Sequence, residues 1–452
     1  MHEDPKLEEK HLLEVLDRLI VRARAAGADA ADALIYESVS VSTSYRMRRL
    51  EDLERSENGD CGLRVFIGKR QAFVSSTDLS DAALSELATR AVDMARIAPE
   101  DKFCGLADAS LLAKSYADLD LFDPAEPKSE KLVERAKAAE AAALETPGIT
   151  NSQGSSASWG RGTVALATSD GFRGAYSSSS SSIGCSVIAG EGADMQVESE
   201  GISKIFGSDL PAPEEIGRVA AERALRALHP RKIKSQSAPV VFEKRLSGSF
   251  IGQLAGAISG AAIARGTSFL KNALGTEVFG AHITIIDDPL RRRGLRSQPF
   301  DGEGVAVAPL TLIDQGRLTT WILDSASARQ LGLASNGRAG RGTGGPPHPS
   351  TTNLHMVAGH LTPKELMADI KSGLLVTSTF GPNVSLVTGD YSVGVSGLWI
   401  ENGEPAYPVN EITVAGNLKD MFRNMTQASD LEFRRGVNAP TLRIDGMTVA
   451  GT

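Results

Sequence analysis

The alternation of apolar and polar positions gives the two halves of the chain different textures. Leu12, Leu13, Leu16, Leu19 and Ile20 recur at helical spacing within the first 26 residues, and Ala26-Gly27 ends that helix. At 33–45 apolar and polar residues alternate, which predicts a half-buried strand. GLRVFIG and RQAFVSS (62–76) predict a strand pair turning at Gly68-Lys69. Leu84, Leu87, Ala91 and Met94 mark one face of a helix over Ser80–Ala98. A loop rich in Pro, Asp and Ala covers 99–127. Ser129 is then expected to N-cap a helix ending near Pro147-Gly148. Strands are predicted at 162–172, at 175–190 and around 195–206, and a helix over Pro211–Leu228. The serine run 177–182 reads as a strand with small polar residues on both faces, beside a groove.

The polar, basic stretch 229–239 separates this half from a second one in which strands dominate. APVVFE (238–243) leads into a Gly-rich helix predicted over 247–264. Short apolar runs follow, among them HITIIDD, VAVAPLTLID, LLVTST, SVGVSGLWIE, EITVAG and TLRIDGMTVAG. Many of their connections carry Gly, Asp or Asn, as hairpins do. Thr362-Pro363-Lys364-Glu365 predicts a capping box with proline at the first helical position, and Gly373 is expected to close that helix. The pattern predicts an α+β protein. A mixed α/β N-terminal domain (1–235) precedes a β-rich, barrel-like or sandwich-like C-terminal domain (236–452) that contains the Gly-rich helix.

Composition narrows the class. A chain of 452 residues can bury a core without metal or disulfide staples. An apolar share of 41% and a charged share of 23% are those of a folded globular protein. The net charge of −8 argues against nucleic acid or an anionic membrane as a partner. Cys61, Cys104 and Cys185 form no CxxC and read as free thiols of a reducing compartment. The acidic start, MHEDPKLEEKH, is neither a secretory signal nor a transit peptide, so a cytoplasmic location is expected. The 19 uncharged residues between Arg245 and Arg265 are long enough to cross a bilayer. Their serines, glycines and Gln253 make a buried helix the better reading.

Most candidate chemistry fails on spacing. No histidine sits in HExxH or HExxxH, the patterns that place two imidazoles and a base on one helical face. His348, His355 and His360 cluster in sequence, but no two share a helical turn. Ser268-Phe269-Leu270-Lys271 matches SxxK without a KTG, and GxSxG and GxxxxGK[ST] are absent. Gly340–Gly345 fits GxGxxG by letter, yet Pro346-Pro347 stand where a helix must start, so a flexible loop is expected. Arg291, Arg292, Arg293 and Arg296 read as a solvated basic turn. Asp287-Asp288 and Asp301-Gly302-Glu303 read as turn caps. Gly248, Gly252, Gly256 and Gly260 form one stripe along the predicted helix. Each costs about 1 kcal/mol relative to Ala, which close packing of another backbone would offset.

GTSFLKNALGTEVFG, ITIIDDP, FDGEGV, LIDQGRLTTWILDSASARQLGL, STTNLHM, GDYSVGVSGLWIENGE and the closing TLRIDGMTVAG together resemble the TldD/PmbA family, also called modulators of DNA gyrase. VALATSDGFRGAY fits too, and the pattern is closest to the PmbA or TldE branch. The resemblance implies a zinc metallopeptidase system acting on unfolded or leader peptides. In it a TldD-type subunit binds zinc through HExxxH and a late cysteine. Laid on this chain, that motif falls on Gly252 for the first histidine, Gln253 for the glutamate and Ala257 for the second histidine; Gly256 matches a motif glycine. The late cysteine has no counterpart. The resemblance therefore implies no catalytic or metal residue here and no cofactor in this chain, with zinc in a TldD-type partner. It implies a homodimer alone and a heteromer with that partner, and an extended peptide bound against sheet edges. Gly256, His348, Asn353, His355 and Asp390 are the groove candidates. A peptidase with an unrecognised site and a stand-alone peptide-binding homodimer remain the alternatives.

Overall fold

The computed structural model describes residues 5–451. The N-terminal half opens with α1 (Pro5–Ala26), β1 (Ala30–Arg46), β2 (Arg49–Ile67), β3 (Arg70–Ser76) and α2 (Asp81–Ile97). It continues with α3 (Ser129–Leu144), β4 (Ile149–Thr168), β5 (Arg173–Ala189), β6 (Gln196–Lys204) and α4 (Pro213–Arg226). The strands form one antiparallel sheet in the order β3-β2-β1-β4-β5-β6. The odd-numbered residues of β1, β4 and β5 form one face, among them Ala33, Ile35, Val41, Trp159, Ala165, Ile183 and Val187. They are buried together with residues of α1 to α4. Because side chains alternate along a strand, the even-numbered residues of β1, β4 and β5 form the opposite face.

The C-terminal half starts with β7 (Gln236–Phe242), α5 (Lys244–Ala257), α6 (Gly260–Ala264), β8 (Ile285–Asp287), β9 (Leu310–Asp314), β10 (Arg317–Leu318) and α7 (Ser325–Leu331). Then come β11 (Ala339–Gly340), β12 (His348–Pro349), β13 (Leu354–Met356), α8 (Pro363–Met367), β14 (Ser372–Val384) and β15 (Asp390–Glu401). It ends with β16 (Glu404–Asn417), α9 (Leu418–Arg423), β17 (Met425–Gln427), β18 (Val437–Asn438) and β19 (Leu442–Ala450). The order β16-β15-β14-β7-β19 is closed by pairing of β16 with β19, which makes a five-stranded barrel with β17 on its flank. A second sheet, β10-β9-β8-β13-β18, stands beside it. Phe250, Ile251, Leu254 and Ala257 of α5 join barrel residues such as Val240, Val376 and Val414, and Ile285 and Leu354 of the second sheet, in one core.

The α+β class and the β-rich, barrel-like second half stand as expected from the sequence, and several local expectations change. The Gly-rich helix begins at Lys244 and breaks at Ile258-Ser259, where Gly260 N–H donates to Ile322 O (2.8 Å) and Ile322 N–H to Ile258 O (3.0 Å). A tertiary bridge thus replaces a helical turn. Lys128, not Ser129, is the N-cap of α3. The Thr362–Glu365 capping box forms, but α8 stops at Met367 and Gly373 lies in β14. The glycine stripe is not uniformly packed. A Cβ at Gly248 would meet Val437 O at 2.9 Å and one at Gly260 would meet Ser327 Oγ at 2.5 Å, whereas Gly252 is exposed with nothing within 4 Å. No helix of the described residues is long and apolar enough to cross a membrane.

Candidate functional site: a groove between the two halves

The register of β1, β4 and β5 lays out the floor of a groove in rows. Ser40, Gly160 and Ser180 face one another across the strands, then Ser38, Gly162 and Ser178, then Tyr36, Val164 and Tyr176, then Leu34, Leu166 and Gly174. Passing from Ser40 towards Leu34, the floor changes from small and hydroxylic to aromatic to aliphatic. The serine run therefore splits. Ser177, Ser179 and Ser181 are buried on the helix face, and Ser178 and Ser180 line the groove. Among the described residues the hydroxyls of Ser38, Ser40, Ser178 and Ser180 have no protein partner. The expectation of a polar strand beside a groove is met.

The C-terminal half supplies the roof. Residues 294–298 and 350–352 cover the hydroxylic end and enclose about 720 Å³. Residues 300–302 and 339–343 cover the aliphatic end, about 290 Å³. Tyr36, Val164, Tyr176 and Gln298 line both cavities, which makes the groove continuous. Phe300 anchors the roof. Its ring meets Tyr116, Phe172 and Tyr176 edge-on at 5.1, 5.1 and 5.5 Å and lies over Gly174, where any side chain would displace it. Burial pushes the Tyr176 hydroxyl up to about 12, so it stays a proton donor.

A buried charge cluster closes the aliphatic end. Asp32 on β1 pairs with Arg64 on β2 at 2.5 Å and with Arg341 of the roof at 2.7 Å, and all three side chains are at most 5% exposed. Burial pushes the Asp32 carboxyl pKa up, but Arg341 and Arg64 overcome this and leave it below the usual carboxylate range. Burial lowers the pKa of Arg341, with Asp32 opposing. Asp301 accepts from the N–H groups of Glu303, Val305 and Ala339, while burial and then Glu303 push its pKa up to about 7. Glu303 is raised as well, by burial first. The loop 340–345 is thus held in place. Thr343 packs its backbone against Gly62 and its hydroxyl donates to Asp60.

The residues singled out from the sequence are scattered. His348 is exposed on β12. Asn353 is buried and braces the 288–297 loop, donating to Asp288 O and Ser297 Oγ at 2.8 Å each and accepting from Arg296 N–H. His355, half-buried on β13, lies edge-on to Phe433 at 5.0 Å, and burial lowers its pKa. Gly256 faces Leu386, and Asp390 at the start of β15 accepts from Thr388 Oγ1 at 2.6 Å. None of the five lines the groove between the halves, which the strand pattern alone does not reveal because it needs the register of three strands and two distant loops. The groove also runs over a sheet face, not along an edge. The arginine turn is braced: Arg292 and Arg293 pair with Asp120, and Arg291 stacks on Phe433 at 3.2 Å.

Zinc, which the family resemblance implies, does not fit the helix where its motif falls. Gly252 has no side chain, Gln253 presents an amide, and Ala257 is buried in the core. Among the described residues no three His, Cys, Asp or Glu side chains gather closely enough to hold a metal ion. The cysteines are buried, and burial holds Cys61 and Cys185 up to about 12, which keeps them protonated.

The fold and groove define an α+β protein whose N-terminal and C-terminal halves meet around an open cleft, and comparison with known proteins gives the family. Models of the PmbA/TldA metallopeptidase match as domain 1 over residues 31–95, as the central domain over 122–228 and as the C-terminal domain over 235–451. The chain is 37% identical to the metalloprotease PmbA of Escherichia coli O157:H7, over 98% of this chain and 97% of that one. A Bacteroides thetaiotaomicron protein described as a modulator of DNA gyrase superposes with a TM-score of 0.89 at 28% identity, over 97% of this chain and 98% of that one. TldE of Thermococcus kodakarensis shares the fold, with a TM-score of 0.85 at 18% identity over 97% and 100% of the chains. The chain belongs to the PmbA/TldD family.

Proposed function

We propose that this chain is the non-catalytic, PmbA/TldE-type subunit of a zinc metallopeptidase system, and that it holds an extended unfolded or leader peptide for a TldD-type partner. The partner supplies the zinc. The observation that carries this reading is the helix α5, which offers Gly252, Gln253 and Ala257 at the motif positions, a set with no imidazole and no carboxylate. The groove fits the role. Unpartnered serine hydroxyls can bond a peptide main chain whatever its sequence, and Gly160, which has no side chain, lets that chain approach the floor. The three unpaired, buried cysteines suit a reducing, cytoplasmic setting.

The test is hydrolysis of an unstructured peptide by this chain alone, by an HExxxH-bearing partner alone and by the two together, with zinc counted in each. Cleavage only when the partner is present, with zinc in the partner, is expected. Stoichiometric zinc and hydrolysis by this chain alone would overturn the proposal and favour a complete peptidase, as the name of its Escherichia coli relative suggests.

A further inference from the structure

The aliphatic end of the groove has features that main-chain binding does not require. Its walls are Leu34, Val164, Leu166 and Phe300, room for one large apolar side chain within about 290 Å³. Arg341 stands in the wall, with a side chain 2% exposed. Its Nη2 pairs with Asp32, while Nε and Nη1 have no hydrogen-bond partner. Two guanidiniums, Arg64 and Arg341, share the single carboxylate of Asp32. Of the other acids facing this cluster, Asp301, Glu303 and Asp324, burial raises Asp301 and Glu303, which so carry less charge to balance it. Among the described residues the Tyr176 hydroxyl also has no partner. A desolvated guanidinium with free N–H groups is best satisfied by a carboxylate, which it can grip at two points.

We propose that this end of the groove is a terminus pocket: it takes the last residue of a bound peptide, with Arg341 and the Tyr176 hydroxyl on the α-carboxylate and a large apolar side chain against Leu34, Leu166 and Phe300. The inference rests on the peptide-holding reading above. It adds polarity and substrate class to that reading, because the C-terminus lies at the Leu34 end and the upstream residues run over Ser178 and Ser180. Peptides with a free apolar C-terminal residue are favoured over internal loops of a folded chain, which have no terminus to offer.

The probe is an N-terminally labelled octapeptide rich in Ser and Ala and ending in Phe, made as the free acid and as the C-terminal amide. Its binding to the full chain is read by fluorescence anisotropy. The free acid should bind about tenfold or more tightly than the amide, as loss of a charge-assisted contact predicts. In Arg341→Gln the two forms should bind alike. Because Arg341 also braces Asp32, Val164→Phe is the second variant. It fills the pocket and leaves the ion pairs in place, and should weaken the acid about tenfold or more and abolish its advantage over the amide. Equal, tight binding of acid and amide to the unaltered protein would overturn the terminus pocket and leave the peptide groove standing. Failure of both forms to bind at millimolar concentration would overturn the groove and the pocket together.

Discussion

Asp301 and Asp32 lie in one buried cluster and respond to pH in opposite senses. The Asp301 pKa is pushed up to about 7 by burial and by Glu303, against about 4 in an unfolded chain. Between those values the folded protein keeps a proton that the unfolded chain has released. The stability this group contributes is therefore complete below about pH 4 and lost as pH rises towards 7. Asp32, held low by Arg341 and Arg64 against the effect of burial, contributes stability above the unfolded carboxylate value and loses it only as pH falls below that value. The two windows hardly overlap. A melting-temperature series from pH 4.5 to 7.5 should fall for the unaltered protein and be flatter for Asp301→Asn. Glu303, shifted in the same direction, leaves a residual slope. Parallel curves would show that Asp301 ionises normally despite its burial.

Glycines on helices test packing at the scale of elements. Gly217 of α4 lies against α3 so closely that a Cβ would stand 1.9 Å from Ala139 O, while a Cβ at Gly252 of α5 would meet nothing. Gly217→Ala should force the two helices apart, at a cost of about 1–3 kcal/mol or more, as overpacking does. Gly252→Ala should stabilise by up to about 1 kcal/mol, because only helix propensity changes. Thermal melts of the two variants check this, and a neutral Gly217→Ala would mean that the crossing is looser than described. The same contrast decides what restoring Gly252→His, Gln253→Glu and Ala257→His would do. A stripe packed along its whole length would make every one of these changes destabilising, but Gly252 is open and the cost falls on buried Ala257. Elements with strong periodicity, such as α1, α2 and β5, were legible in the sequence. The arm of β2 from Arg49 to Asp60 was not. It is almost wholly exposed and carries the run RLEDLERSENGD, so no buried face imprints an alternation. The break in α5 was hidden because its cause, the bond to Ile322, is remote in sequence. The groove was half legible. Its serines drew attention, but Arg341, in a Gly-rich loop expected to be flexible, gave no signal of burial.

At the scale of the molecule, the halves are tied by Phe300 in its aromatic box and by ion pairs of Arg341 with Asp32, Arg434 with Glu200, and Arg245 with Glu198. The two halves should therefore melt in one transition, and Phe300→Ala, which empties the box, should split it in calorimetry. We expect the purified chain to be a homodimer by light scattering and to exchange into a heteromer with a TldD-type subunit. A chain that stays monomeric with and without that subunit would count against the pairing. Closure of the barrel has a further consequence, for the order of events at the ribosome. Every strand of the N-terminal sheet is complete by Lys204, so that half can fold as it emerges. β7 cannot do the same, because one of its two neighbours is β19. At about 5–20 residues per second, β7 waits on the order of ten seconds or more with a bare edge, a template for pairing with other nascent chains. A chain stopped before Leu442 never gains its seal. It should leave a soluble, protease-resistant N-terminal half attached to a C-terminal half that aggregates.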